Sequence, residues 1–186
     1  MDKPGGAEPR SQKTWRVGSE IDWGTIDLSA TRMDAELLMM VRRAALRAAR
    51  RTVGLSHLLA ALTADSVASA LLARELHDSW KHFHALRSYL EVAEYTPAIA
   101  EPELEQHRRT APEGALRRAE DAGARVAQLL DDARRDGAVF ALISARAMDP
   151  ALARLSDRIA ADRQQHSLAL ARYLSQGADS SGEKTA

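Results

Sequence analysis

The densest group of chemically capable side chains is the run His77-x2-Trp80-Lys81-His82-Phe83-His84. Histidine is the commonest imidazole ligand for zinc or iron, so the run raises the question of a metal site. His77 and His84 are seven residues apart and share a helix face, whereas His82 falls on another side. Converging ligands and a carboxylate behind them are needed to complete such a site, and no second His pair is spaced to supply them. The expectation is a packed aromatic–histidine face with no metal and no cofactor. Trp80 and His84 remain candidate ligand- or partner-binding residues on it.

Ser56-His57 places a hydroxyl beside an imidazole. A nucleophile needs its base within hydrogen-bond reach, and adjacent helical residues point apart, so no catalytic residue is assigned. Arg42, Arg43, Arg47, Arg50 and Arg51 crowd one stretch. Arg43, Arg47 and Arg50 share a face at i, i+4 and i+7, suited either to solvent or to an acidic or phosphorylated partner. Asp131-Asp132 occupies a comparable later stretch, while Glu101, Glu103 and Glu105 read as solvated. Trp15 and Trp23 lie near the N-terminus and are candidate partner anchors; folding back over a groove is the alternative.

The elements that must position these residues are helices. Apolar residues make up 45% of the 186 positions but aromatics only 4%, with Ala and Leu dominant, and Ala, Leu, Arg and Glu are good helix formers. The 26 basic and 26 acidic side chains cancel, against a general nucleic-acid binder. There is no cysteine, which excludes disulfides and thiolate chemistry. No apolar run approaches the ~20 residues of a membrane span, and the first residues lack a signal peptide's apolar stretch. The expectation is a soluble cytoplasmic protein with no membrane association.

Along the chain, 1–14 reads as a disordered tail and 15–30 as an N-terminal extension packing on the body. Thr31 with Asp34 resembles a capping box opening a helix from about Arg32 to Arg51. Val53-Gly54 is expected to break it. Ser56 then caps a short helix, Asp65 or Ser66 a third, and Asp78 a fourth, which ends before Tyr95-Thr96-Pro97. Residues 97–111 read as a linker. Pro112 opens a long helix ended by Gly137, and Asp149-Pro150 opens another, with a possible break near Asp162, closed by Gly177. The tail 177–186 reads as disordered.

Sliding the chain on itself by 84 residues, without gaps, aligns the two halves. His82 and Tyr89 fall on His166 and Tyr173, and Asp65 and Asp78 on Asp149 and Asp162. Leu46, Arg50 and Arg51 fall on Leu130, Arg134 and Arg135. The matches hold one register, which points to a duplicated unit of one long, two short and one medium helix. A lone unit of about 60 residues buries its apolar faces poorly, so two copies packed into one domain are expected.

The first unit, with its Ala-rich helix leading into Gly54-x2-His57-Leu58-Leu59 and Tyr95-Thr96-Pro97 beyond, resembles the N-terminal domain of Clp chaperones. Gly54, Ser56, His57, Leu58 and Leu59 stand at the motif positions. In the second unit Ala138–Ala141 replace the signature. The resemblance implies an all-α fold of two tandem four-helix repeats, 31–96 and 112–176, packed as one pseudo-twofold domain. It implies a non-catalytic module that binds a protein or peptide, as adaptor or decoy, with Clp machinery as a candidate partner. Some relatives read phosphoarginine through an acidic residue before the motif histidine; here that position is Ser56, and Phe140 in the second unit. No G-x4-G-K-[ST] occurs, so no ATPase motor is read. The alternative is a small-molecule-binding protein or an enzyme of specialised metabolism using the cleft between the units.

Overall fold

The computed structural model describes residues 15–32, 34–109 and 122–182. Helices α1 (Val17–Glu20) and α2 (Leu28–Arg32), with a single 3-10 turn between them, precede the long helices α3 (Ala35–Ala61) and α4 (Ser66–Val92). A shorter α5 (Glu101–Arg109) leads to α6 (Ala122–Arg146) and α7 (Pro150–Gly182). No strand occurs among the described residues, so the all-α expectation holds. No described helix is long and apolar enough to cross a membrane.

Helices α3, α4 and α7 each start where a carboxylate satisfies unpaired amides. Asp34 accepts from the Leu37 amide at 2.8 Å, Asp65 from Ala68 at 2.9 Å and Asp149 from Leu152 at 3.0 Å. Asp34, rather than Thr31, is therefore the cap of α3. Helix α4 ends with Glu94 in the left-handed region at φ 53°. The Tyr95 amide donates to the Leu90 carbonyl at 3.0 Å and the Glu94 amide to Glu91 at 3.1 Å, the bonding of a Schellman cap.

The expected breaks inside the units are absent. Helix α3 runs through Val53-Gly54 and Ser56, α4 through Asp78, α6 through Gly137, and α7 through Asp162 and Gly177. An interior Gly costs only about 1 kcal/mol relative to Ala. Continuing α3 buries Leu55 and Leu58 against Leu72 of α4, and burying one leucine contributes about 1.5–3 kcal/mol. Two long helices thus stand in each half where four shorter ones were expected. Part of the expected linker is also helical: Ile99 and Leu104 are buried, and Arg42 binds Glu103 and the Pro97 carbonyl, tying α5 to α3. Helix α7 extends to Gly182, into the expected C-terminal tail. The expectations for 1–14, Pro112 and the last four residues lie outside the described residues.

The short connections at 62–65 and 147–149 fold α3 on α4 and α6 on α7 as antiparallel hairpins. The hairpins pack through α4 against α7 and α3 against α6. The main core joins Val41 and Ala45 of α3, Phe83 and Leu86 of α4, Ile143 of α6 and Leu155 of α7. The N-terminal segment folds back on this body: Trp15 and Ile21 belong to the core, and Glu20 pairs with Arg158 at 3.2 Å.

Candidate functional site

Two buried polar networks lock the hairpins together, and a cleft opens between them. The first lies along α4 and α7. His82 Nε2 is 2.8 Å from Asp162, and His166 Nε2 is 2.9 Å from Asp78. Near the helix ends the Tyr89 hydroxyl donates to Asp149 at 2.9 Å and the Tyr173 hydroxyl to Asp65 at 2.7 Å. Each contact has its counterpart 84 residues on. Lys81 bridges Asp78 at 2.7 Å and Asp162 at 2.9 Å. The Trp15 indole donates to Asp162 at 2.7 Å and its ring lies parallel to His82, 6.2 Å between centroids.

Burial pulls the Asp78 carboxyl upward, but bonds from His166 and Lys81 outweigh it and hold the group well below the usual carboxylate range. Burial drives the His82 imidazole down to about 3 against the opposing pull of Asp162, so it is neutral at pH 7 and donates from Nε2. The acceptor Nδ1 that remains is buried and unpartnered. The His82 side chain is 0% exposed, so a substrate has no access to it, and the Asp–His pairs act as ties between helices.

The second network joins all four long helices. Arg51 of α3 binds Glu75 of α4 at 2.7 Å and Asp136 of α6 at 2.8 Å. Arg163 of α7 reaches Glu75 at 3.4 Å and the Ser79 hydroxyl at 3.3 Å. Arg163 is almost fully buried, and burial with the nearby Arg51 charge pushes its guanidinium down to about 10, still protonated at neutral pH.

Beside this node, between α3 and α6, opens a cleft of about 480 Å³. Arg47, Arg50, Arg51, Gly54, Leu55, His57 and Leu58 line it from α3, and Arg125, Gln128, Leu129, Asp132, Arg135 and Asp136 from α6. The α3 side exists because the helix passes through Gly54: residues 47, 50, 51, 54, 57 and 58 recur at three- and four-residue spacing and so form one face. Gly54 is exposed, and a Cβ there would meet nothing within 4 Å.

Gly54, His57 and Leu58 of the sequence motif thus line the cleft, while Leu59 is half-buried in the Leu55 cluster. Ser56 is exposed and spends its hydroxyl on the Val53 carbonyl at 2.8 Å, as a mid-helix residue rather than a cap. Trp15 is 5% exposed and packs inside the body; it is not a surface anchor. Trp23 is half-buried, its indole donating to the Val17 carbonyl at 3.1 Å. Trp80 packs against Phe83 and the exposed His84. None of these four lines the cleft. Exposed His77 and His84 are separated from buried His82, and no group of three or more His, Asp or Glu side chains gathers as a metal would require among the described residues.

Sequence reasoning missed Glu75, Asp136 and Arg163, whose partners lie on other helices: Asp136 meets Arg51 and Arg163 meets Glu75 across the two hairpins, and Glu75 also meets Arg51 of the facing helix α3. The sequence suggests Asp78 as a helix cap, but it is an interior residue of α4. The signal was present as Asp-x3-His in both halves, Asp78/His82 and Asp162/His166. No protein-family model, curated protein or solved structure matches this chain.

Proposed function

We propose that the chain is a non-catalytic binding module of the Clp N-terminal kind, a duplicated helical unit whose partner, a protein or peptide, docks at the cleft between α3 and α6. One observation carries the reading: Gly54, His57 and Leu58, on which the sequence resemblance rests, line the cleft between α3 and α6, and the buried networks hold its two walls in place. The reciprocal Asp–His and Asp–Tyr contacts support descent of the hairpins from one unit related by a pseudo-twofold. Clp machinery is the first partner to test.

The test is affinity capture from cell lysate on the immobilised chain, beside a Gly54→Trp variant that fills the cleft. Capture of a Clp component or of substrate proteins by the native chain, lost with Gly54→Trp, supports the reading. Equal capture by both, or none by either, removes it. A small-molecule ligand is the second reading. The cleft volume favours it, since such sites span roughly 300–1,000 Å³; a thermal shift with a metabolite panel, abolished by Gly54→Trp, distinguishes it.

A further inference from the structure

The cleft's lining also specifies the chemistry of its occupant, an inference that rests on the site assigned above. We propose that it binds a ligand carrying an anionic group, carboxylate or phosphate, on an apolar body.

Five arginines and two aspartates line the cleft. Both acids are already engaged by arginines of the same lining: Asp136 by Arg51 at 2.8 Å and Asp132 by Arg135 at 3.8 Å. Arg47 and Arg125 pair with no acidic side chain among the described residues; Arg125 meets only the neutral Gln128 amide, at 3.1 Å. Among the described residues the lining therefore keeps a positive excess, with one such cation on each wall. Concave, low-dielectric walls concentrate this field at the mouth. Guanidinium groups match carboxylate and phosphate oxygens in bidentate geometry.

Leu55, Leu58 and Leu129 line the same cleft. A hydrated inorganic ion leaves these leucines unfilled, and a purely apolar ligand leaves the arginine excess unanswered. A ligand with both parts satisfies both. Two sources supply this chemistry: a free amphiphilic carboxylate, or acidic and leucine-like side chains on a peptide.

The experiment is titration calorimetry on the full chain in two arms. One compares octanoate with octanol, and the other the peptide Leu-Leu-Glu-Glu with Leu-Leu-Gln-Gln. The expected result is that, in at least one arm, the anion binds about tenfold more tightly than its uncharged match, as one charge-assisted contact provides. That preference shrinks with added salt and is lost in Arg47→Gln/Arg125→Gln, with helical circular dichroism unchanged. The responding arm identifies the source. No preference for the anion in either arm, or a preference that survives the double substitution, overturns the proposal. Should that variant not fold, Gly54→Trp gives the same reading. Failure of both arms while Gly54→Trp still abolishes lysate capture removes the anion assignment alone. Anion binding without any capture removes the protein-partner reading alone.

Discussion

The imidazole of His82 in α4 lies 2.8 Å from the carboxylate of Asp162 in α7, and the residues 84 positions away, His166 and Asp78, repeat the pair at 2.9 Å in the opposite sense. The two central helices are therefore joined by mutual exchange of like side chains. Asp162 is the busier acceptor, since Lys81 and Trp15 also converge on it.

Asp162→Ala strips three partners of their acceptor and should cost about 3–5 kcal/mol, the range for breaking one side of a buried ion pair. Asp162→Asn keeps an acceptor oxygen and should cost less. Asp131→Asn, at an exposed pair with Arg134, should stay within about 0.5 kcal/mol. Urea unfolding followed by circular dichroism measures all three; equal effects at Asp162 and Asp131 would refute the interior role of Asp162.

Stability should fall on acidification, through two contributions of the same sign. The folded His82 stays neutral down to about 3, whereas an unfolded histidine binds its proton near 6.5. Between those values the unfolded chain holds more protons, so this contribution is lost as pH falls, at up to about 1.4 kcal/mol per pH unit. Asp78 and Asp162 are both held below the ordinary carboxylate value, so their contribution is present above about 4 and lost below it. The groups facing His82 are Asp162, Lys81, Arg163 and the Trp15 ring. Urea midpoints from pH 7 to 4 should slope less in His82→Gln than in the native chain; parallel slopes refute the neutral buried imidazole.

Two backbone positions should yield gains. Glu94 adopts a positive φ, which glycine reaches at no steric cost, so Glu94→Gly should stabilise by up to about 1 kcal/mol. Gly54 sits inside α3 with nothing within 4 Å of a Cβ, so Gly54→Ala should stabilise by about 0.5–1 kcal/mol. Thermal melts detect both, and a loss at either position contradicts the assigned backbone.

Neighbouring leucines of α3 should differ. Leu55 is 1% exposed, and Leu55→Ala should cost about 2–5 kcal/mol. Leu59 is only partly buried, and Leu59→Ala should cost less. The same unfolding assay ranks them; a reversed order places Leu59, not Leu55, in the core.

Helical character was legible in the chain because it is a local property, set by Ala and Leu abundance and by apolar spacing at three and four residues. Asp65 and Asp149 were legible as caps for the same reason, since a cap acts on amides three residues away. The shift of 84 residues likewise brought His82 into line with His166 and Asp78 with Asp162. It could not show that each histidine binds the other copy's aspartate, because partner choice depends on how α4 and α7 face each other. The passage of α3 through Gly54 was decided by packing, where burial of Leu55 and Leu58 outweighs a local glycine penalty of about 1 kcal/mol. The cleft is likewise a tertiary object. Arg47 and Arg125 lie on separate hairpins, and contacts between α3 and α6, the Arg51–Asp136 tie among them, bring the two walls of the cleft together with Leu55 and Leu129 in its lining.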